Sequence, residues 1–166
     1  MKKMHPAVPA LLASAMVGLC VTLASGAAPA DETNHFLGRW HWNRAKSTLA
    51  PGDPTPQDVK ASIVSADNGH IKWTADVTDN QGKRHIETFD GKPDGTFFPV
   101  VGAGHDVTAA FTIGNGALQS TFKGANGASD SQSCTVSADD KEMTCRGTWT
   151  DGKSKSEHYI DVYDRT

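Results

Sequence analysis

The sequence predicts an all-β protein: a single antiparallel up-and-down β-barrel of about eight to ten strands, following an N-terminal export signal. Three observations carry this expectation. Beyond residue 30, no stretch sustains the apolar period of an amphipathic helix. Short runs alternate apolar and polar residues instead, and Gly, Asn and Asp punctuate them. The connections are mostly tight, which suits strands that follow one another around a sheet, and closing that sheet removes its exposed edges. A β-sandwich is the alternative arrangement.

The start of the chain reads as a cleavable secretory signal. Lys2 and Lys3 precede the apolar run "ALLASAMVGLCVTL", Ala10 to Leu23, and "ASGAAPA" follows, with small residues Ala28 and Ala30 around Pro29. Cleavage is expected after Ala30, with Ala27 as the second choice. The run is short for a membrane span, so no membrane insertion is expected after cleavage. Leu19 stands where a lipoprotein signal needs a small residue before Cys20. Residues 1–30 are therefore the signal, and residues 31–166 form one barrel domain large enough for its own core. Lys2 and Lys3 leave with the signal while all 19 acidic residues stay, moving the formal charge from −3 to −5. That mild acidity argues against a nucleic-acid or anionic-membrane partner. The expected product is a monomer in the periplasm or outside the cell; any protein partner is left open.

The strands follow in order. "VKASI" puts Val59, Ala61 and Ile63 on one face, and "IKWTADV" does the same for Ile71, Trp73, Ala75 and Val77. A turn at Asp67–Gly69 pairs Ile63 with Trp73 and Ala61 with Ala75, so the apolar faces match. A four-residue loop at "DNQG", Asp79 to Gly82, then pairs Ala75 with Ile86 and Val77 with Arg84. "DGKPDG" leads into "TFFPVVG"; "VTAAFTI" faces Val107, Ala109, Phe111 and Ile113 inward, and Leu118, Ser120 and Phe122 return beneath them. "GANGASDS", Gly124 to Ser131, reads as a flexible loop. A four-residue loop at "ADDK" sets Val136 opposite Met143 and Cys134 opposite Cys145. With Cys20 lost, these two cysteines predict a cross-strand disulfide in an oxidising compartment. A two-residue Asp-Gly turn at Asp151 then pairs Met143 with Ile160 and Cys145 with His158.

The stretch "FLGRWHWNRAKS", Phe36 to Ser47, carries a family resemblance. Its Gly38-x-Trp40 resembles the Gly-x-Trp signature of lipocalins and their calycin relatives. Together with Asn-x-Ala-Lys-Ser, "PG" at Pro51, "FPVVG" at Phe98, "TVSADDKEMT" at Thr135 and the ending "VYDRT", the chain resembles a group of exported, largely uncharacterised bacterial lipocalin-like proteins. Cys134, Cys145 and the extra Trp42 depart from that pattern. The resemblance implies that Trp40 plugs the narrow end of the barrel beneath Arg165, a structural pair. It also implies a small hydrophobic or amphipathic ligand, and it does not imply a catalytic residue.

The expected inner face comprises Ile63, Trp73, Ile86, Phe111, Phe122, Met143, Trp149 and Ile160. If it encloses a cavity, the pocket is lined by Trp42, Trp73, Arg84, Ile86, Phe111, Phe122, Met143, Trp149 and His158, with Ser120 on the same face. A one-residue slip of the last strand would turn Tyr159 inward in place of His158. His41, His70 and His85 alternate with apolar residues and should point outward. His105-Asp106 lacks a Gly-x-Ser-x-Gly elbow, so no hydrolase is read. Lys46 and Ser47 read as a strand exit held by local hydrogen bonds. The Asp-Gly turns lack the spaced oxygen ligands of a calcium loop, and no histidine pair has zinc-ligand spacing. No metal, cofactor or catalytic residue is expected. Three functions remain: a ligand-binding protein, an interaction module (inhibitor or envelope accessory) with a solid barrel, and a small barrel cyclase or isomerase using Arg84 and His158.

Overall fold

In the computed structural model the described residues are 35–51, 55–65, 69–153 and 155–166. The predicted signal, with its cleavage site, lies outside them. Ten strands follow in order: β1 (Gly38–Trp42), β2 (Asp58–Ser65), β3 (Ile71–Thr78), β4 (Arg84–Gly91), β5 (Phe98–Pro99), β6 (Thr108–Gly114), β7 (Ala117–Lys123), β8 (Ser129–Val136), β9 (Glu142–Thr150) and β10 (Ser156–Arg165). They form one sheet in the order β4-β3-β2-β1-β10-β9-β8-β7-β6-β5. This is an all-β, antiparallel, nearly closed up-and-down barrel, as the alternation predicts. The first and last strands lie side by side, and the seam falls between β4 and β5. Thr88 and Val101 bridge the seam by exchanging both backbone hydrogen bonds at 2.9 Å. Beyond Thr88 the chain turns away through Gly102, Gly104 and Asp106, all with positive φ, and β4 has no strand beside it there.

Side-chain alternation assigns the faces. The β2–β3 register matches the expectation, with Ile63 opposite Trp73 and Ala61 opposite Ala75. So does β8–β9, where Cys134 faces Cys145 and the two are joined in a disulfide. Two registers differ. The β3–β4 loop holds five residues, Asp79–Lys83, because Thr78 pairs with Arg84. The β9–β10 loop also holds five, Asp151–Lys155, because Thr150 pairs with Ser156. The two loops share one construction: the leading aspartate accepts the amides two and four residues on, Gln81 and Lys83 in one, Lys153 and Lys155 in the other. Each loop differs from the predicted one by an odd number of residues, so each turns its following strand over.

The corrections follow directly. Arg84 and Ile86 face outward: Ile86 is 52% exposed, and Arg84 pairs on the surface with Asp76 at 2.6 Å. His85 and Glu87 face inward instead, joined at 3.0 Å. His158 is exposed and hydrogen-bonds Thr148 at 2.9 Å, and Ile160 pairs outside with Thr48. Glu157, Tyr159, Asp161 and Tyr163 take the inner face of β10. The predicted loop Gly124–Ser131 is mostly structured as well: a 3-10 turn at Ala125–Gly127 leads into β8, whose first inward residue is Asp130.

The barrel is largely filled. Phe36, Trp40, Ile63, Ile71, Phe89, Phe111, Leu118, Met143 and the disulfide form one buried cluster. Rings interlock across it, Phe89 on Phe111 at 4.6 Å and Phe122 on both Phe111 and Trp73 at 5.8 Å. Such offset and edge contacts suit the quadrupole of each ring. "NRAKS" is the hinge that leads to the site. After Trp42 the chain leaves β1 in a turn in which Ser47 Oγ donates to the Asn43 carbonyl and accepts the Val162 amide. Asn43 Nδ2 and Lys46 Nζ both donate to Asp164. The chain rejoins β10 at Thr48, which brings Leu49 and Ala50 to the wide end of the barrel.

Candidate functional site

The narrow end is closed. Trp40 is 1% exposed and donates its indole N–H to the Phe36 carbonyl at 3.0 Å. The Arg165 guanidinium lies over the indole, its carbon 4.1 Å from the ring centroid. Arg165 also donates to three backbone carbonyls, Leu37 at 2.6 Å, His35 at 2.7 Å and Asp140. Gly38 explains the rest of the Gly-x-Trp signature: its φ is +137°, and a Cβ there would collide with the guanidinium. At this end Trp40 and Arg165 are stacked on one another, the pairing the resemblance implies for them.

The wide end is built differently. Trp42 sits on the same face of β1, one step along, and donates its indole N–H to Asp161 at 2.9 Å. Tyr159 lies across Gly147, opposite it on β9, where any Cβ would collide with the phenol ring. The missing side chain lets Tyr159 reach over β9 and donate to both carboxylate oxygens of Asp130, at 2.7 and 2.8 Å. Around these pairs Trp42, Trp149, Tyr159, Tyr163, Asp130 and Asp161 line a pocket of about 130 Å³, together with Leu49, Ala50, Thr55, Pro56 and Val59. Among the described residues no Lys or Arg lines it.

Beneath it, Tyr163 and Val59 also bound a second, apolar cavity of about 50 Å³ against Trp73, Phe111, Phe122, Met143 and the disulfide. Ser120 faces this interior between Phe111 and Gln132, 3% exposed, with its hydroxyl unpartnered.

The electrostatics of the pocket are acidic. Burial, then the nearby Asp130, push the Tyr159 hydroxyl far above the ordinary tyrosine value. Burial, then Asp161 and Asp130, do the same to Tyr163. Both phenols therefore stay protonated and act as donors throughout the physiological range. The Trp149 partner on β10 is Glu157, whose Oε1 receives Lys155 at 2.7 Å and whose Oε2 is buried without a partner.

Of the predicted lining residues, Trp42 and Trp149 meet in the wide-end pocket. Trp73, Phe111, Phe122 and Met143 meet around the smaller cavity. Arg84, Ile86 and His158 lie outside. Sequence reasoning held Tyr159 only as the alternative to His158, and missed Tyr163, Asp161 and Asp130. The available signal was the string "EHYIDVYDR", whose alternate residues are acidic or aromatic, but its apolar Ile160 and Val162 suggested the opposite face.

With this geometry in hand, the comparisons place the fold. The barrel is similar to that of the fluorescent protein UnaG, with a TM-score of 0.55 at 14% sequence identity, covering 81% of this chain and 99% of that one. A mutant of that protein gives a TM-score of 0.56, over 81% and 98% of the two chains. At such identity the likeness is one of fold. No protein-family model matches the chain, and no curated protein matches it.

Proposed function

We propose that this is an exported, lipocalin-like protein that holds a small molecule at the wide end of its barrel. The observation that carries the reading is the 130 Å³ pocket between Trp42, Trp149, Tyr159 and Tyr163. Small barrels of this kind either fill themselves with side chains or hold one ligand. This one does both, in different halves. The buried disulfide suits an oxidising compartment and so supports export. A cavity of roughly 150 Å³ takes a benzene-sized molecule, which sets the scale of ligand. Tryptophan fluorescence tests the proposal, since half of the protein's four Trp face the pocket. Quenching by a panel of small amphipathic dyes, lost in Trp42→Ala, is the expected result. No quenching, with no co-purified ligand in native mass spectrometry, would overturn it.

One observation favours the second reading, an interaction module with a solid barrel. The midsection encloses only about 50 Å³, so whatever binds there must act through the ends or the surface. Nothing comparable favours a cyclase or isomerase, because Arg84 and His158 both lie on the outer face.

A further inference from the structure

We infer that the wide-end pocket takes a small uncharged carbonyl compound whose oxygen accepts a hydrogen bond from Tyr163. This rests on the pocket being a ligand site and goes beyond it by assigning the ligand's polar group. The polar side chains of the lining divide into two sets. Trp42 donates its indole N–H to Asp161, Tyr159 donates its hydroxyl to Asp130, and both carboxylates and Thr55 are engaged within the protein. The Trp149 indole N–H and the Tyr163 hydroxyl have no hydrogen-bond partner among the described residues. Both are donors. The lining therefore calls for an acceptor.

Tyr163 is the donor placed to select. Trp149 stands beside the β9–β10 loop, where the ammonium of exposed Lys155 lies 5.6 Å from its ring centroid. Tyr163 lies deeper, as a wall of both the 130 Å³ pocket and the 50 Å³ apolar cavity beneath it. Asp161 and Asp130 act on its hydroxyl through their charge, and neither accepts from it, whereas Asp130 accepts from Tyr159. A hydroxyl left unpaired at such a depth is costly, and an acceptor on the ligand removes that cost. A carbonyl oxygen supplies the acceptor and brings no donor that would need a partner of its own. An ammonium supplies no acceptor. A carboxylate or phosphate would supply one, but among the described residues no Lys or Arg lines either cavity, and burying an anion with no cation beside it is unfavourable. The rings, with Leu49, Ala50, Pro56 and Val59, complete the lining and suit an apolar group on the carbonyl.

The test uses cyclopentanone, its acceptor-free isostere methylenecyclopentane and the anion cyclobutanecarboxylate. Each is titrated calorimetrically against the intact protein and against Tyr163→Phe, which keeps the ring and removes the hydroxyl. The variant should weaken cyclopentanone about tenfold and leave methylenecyclopentane unchanged, and cyclobutanecarboxylate should bind neither protein. Comparing each probe across the two proteins cancels the difference in hydration between ketone and alkene. An equal change for both, or none for cyclopentanone, would overturn the donor assignment while leaving the pocket a ligand site. Binding of the carboxylate as tight as that of the ketone would overturn the uncharged class. Failure of all three probes to bind would remove the pocket reading itself, and this assignment with it. If Tyr163→Phe does not fold, tyrosine labelled at Cζ decides in the wild-type protein. The chain's two tyrosines give two resonances. Cyclopentanone, and not methylenecyclopentane, should shift that of Tyr163, and no shift would overturn the assignment.

Discussion

The two ends of the barrel share β1, and on it two tryptophans share one face, yet the ends are finished with opposite chemistry. At the narrow end Trp40 meets a cation, and the Arg165 donors are consumed by backbone carbonyls. At the wide end Trp42 meets an anion, Asp161, beside more carboxylate and more rings. One end supplies its own cation and is full. The other lines a hollow with aromatic and acidic side chains. The difference teaches that a tryptophan on the inner face is read by its polar partner: the same indole serves as a plug or as a wall.

Breaking the two tryptophans separately should show the largest contrast. Trp40→Ala removes a ring packed on every side and strands Arg165, and should cost about 3–5 kcal/mol in denaturant unfolding. Trp42→Ala should cost less, because one side of its ring already faces a void and has fewer contacts to lose. It should instead abolish ligand-induced fluorescence changes, which Trp40 reports only through unfolding. Equal stability losses would mean that the two ends are built alike.

The disulfide belongs to the filled half, and its loss should affect stability alone. Replacing Cys134 and Cys145 by Ala should cost roughly 3 kcal/mol at most, from the freed loop of the unfolded chain. Ligand affinity measured below the melting transition should not change. Non-reducing peptide mapping should find the two cysteines joined.

Alkaline pH should act on the hollow half first. The chain's two tyrosines are Tyr159 and Tyr163, so phenolate absorbance reports this pocket alone. Folding raises both above the unfolded value near 10. Their contribution is therefore whole below about pH 10. Above it the unfolded chain releases protons that the folded one keeps, and stability falls as pH rises, by at most about 1.4 kcal/mol per pH unit for each phenol. Phenolate absorbance should appear together with unfolding. A phenol that ionised at pH 10 in folded protein would show that the pocket is wetter than its geometry. On a smaller scale, Tyr159→Phe removes the hydroxyl that both Asp130 oxygens accept, and should cost about 1–3 kcal/mol in thermal melts.

The filled half was legible in the sequence, and of the hollow half only Trp42 and Trp149 were, for one reason. Around the core the inner residues are apolar, so alternation assigns the face: Ile63 with Trp73, Cys134 with Cys145. In the hollow half the inner residues of β10 are Glu157, Tyr159, Asp161 and Tyr163, while Ile160 and Val162 lie opposite. Val162 is buried all the same, beside the Asn43–Ser47 turn that hydrogen-bonds it. A rule that sends apolar residues inward reads this strand inside out. Loop parity was the only other guide. Each wrong register came from reading Asp79 or Asp151 as the start of a shorter turn, when its carboxylate in fact organises five residues.

The smallest effects test that parity directly. Arg84→Ala and His158→Ala should leave the melting temperature and ligand affinity unchanged, because both side chains lie on the outer face. An exposed Arg–Asp pair contributes little once water screens it. Their inward neighbours should not be so tolerant. His85→Ala removes a group joined to Glu87 on the inner face of β4, beside the part of the seam where that strand has no partner. A change in ligand affinity from His85→Ala, with none from Arg84→Ala, would fix the register of β4 by function. The reverse result would return the strand to the register with Arg84 and Ile86 inside, and with it the case for a cationic group in the barrel.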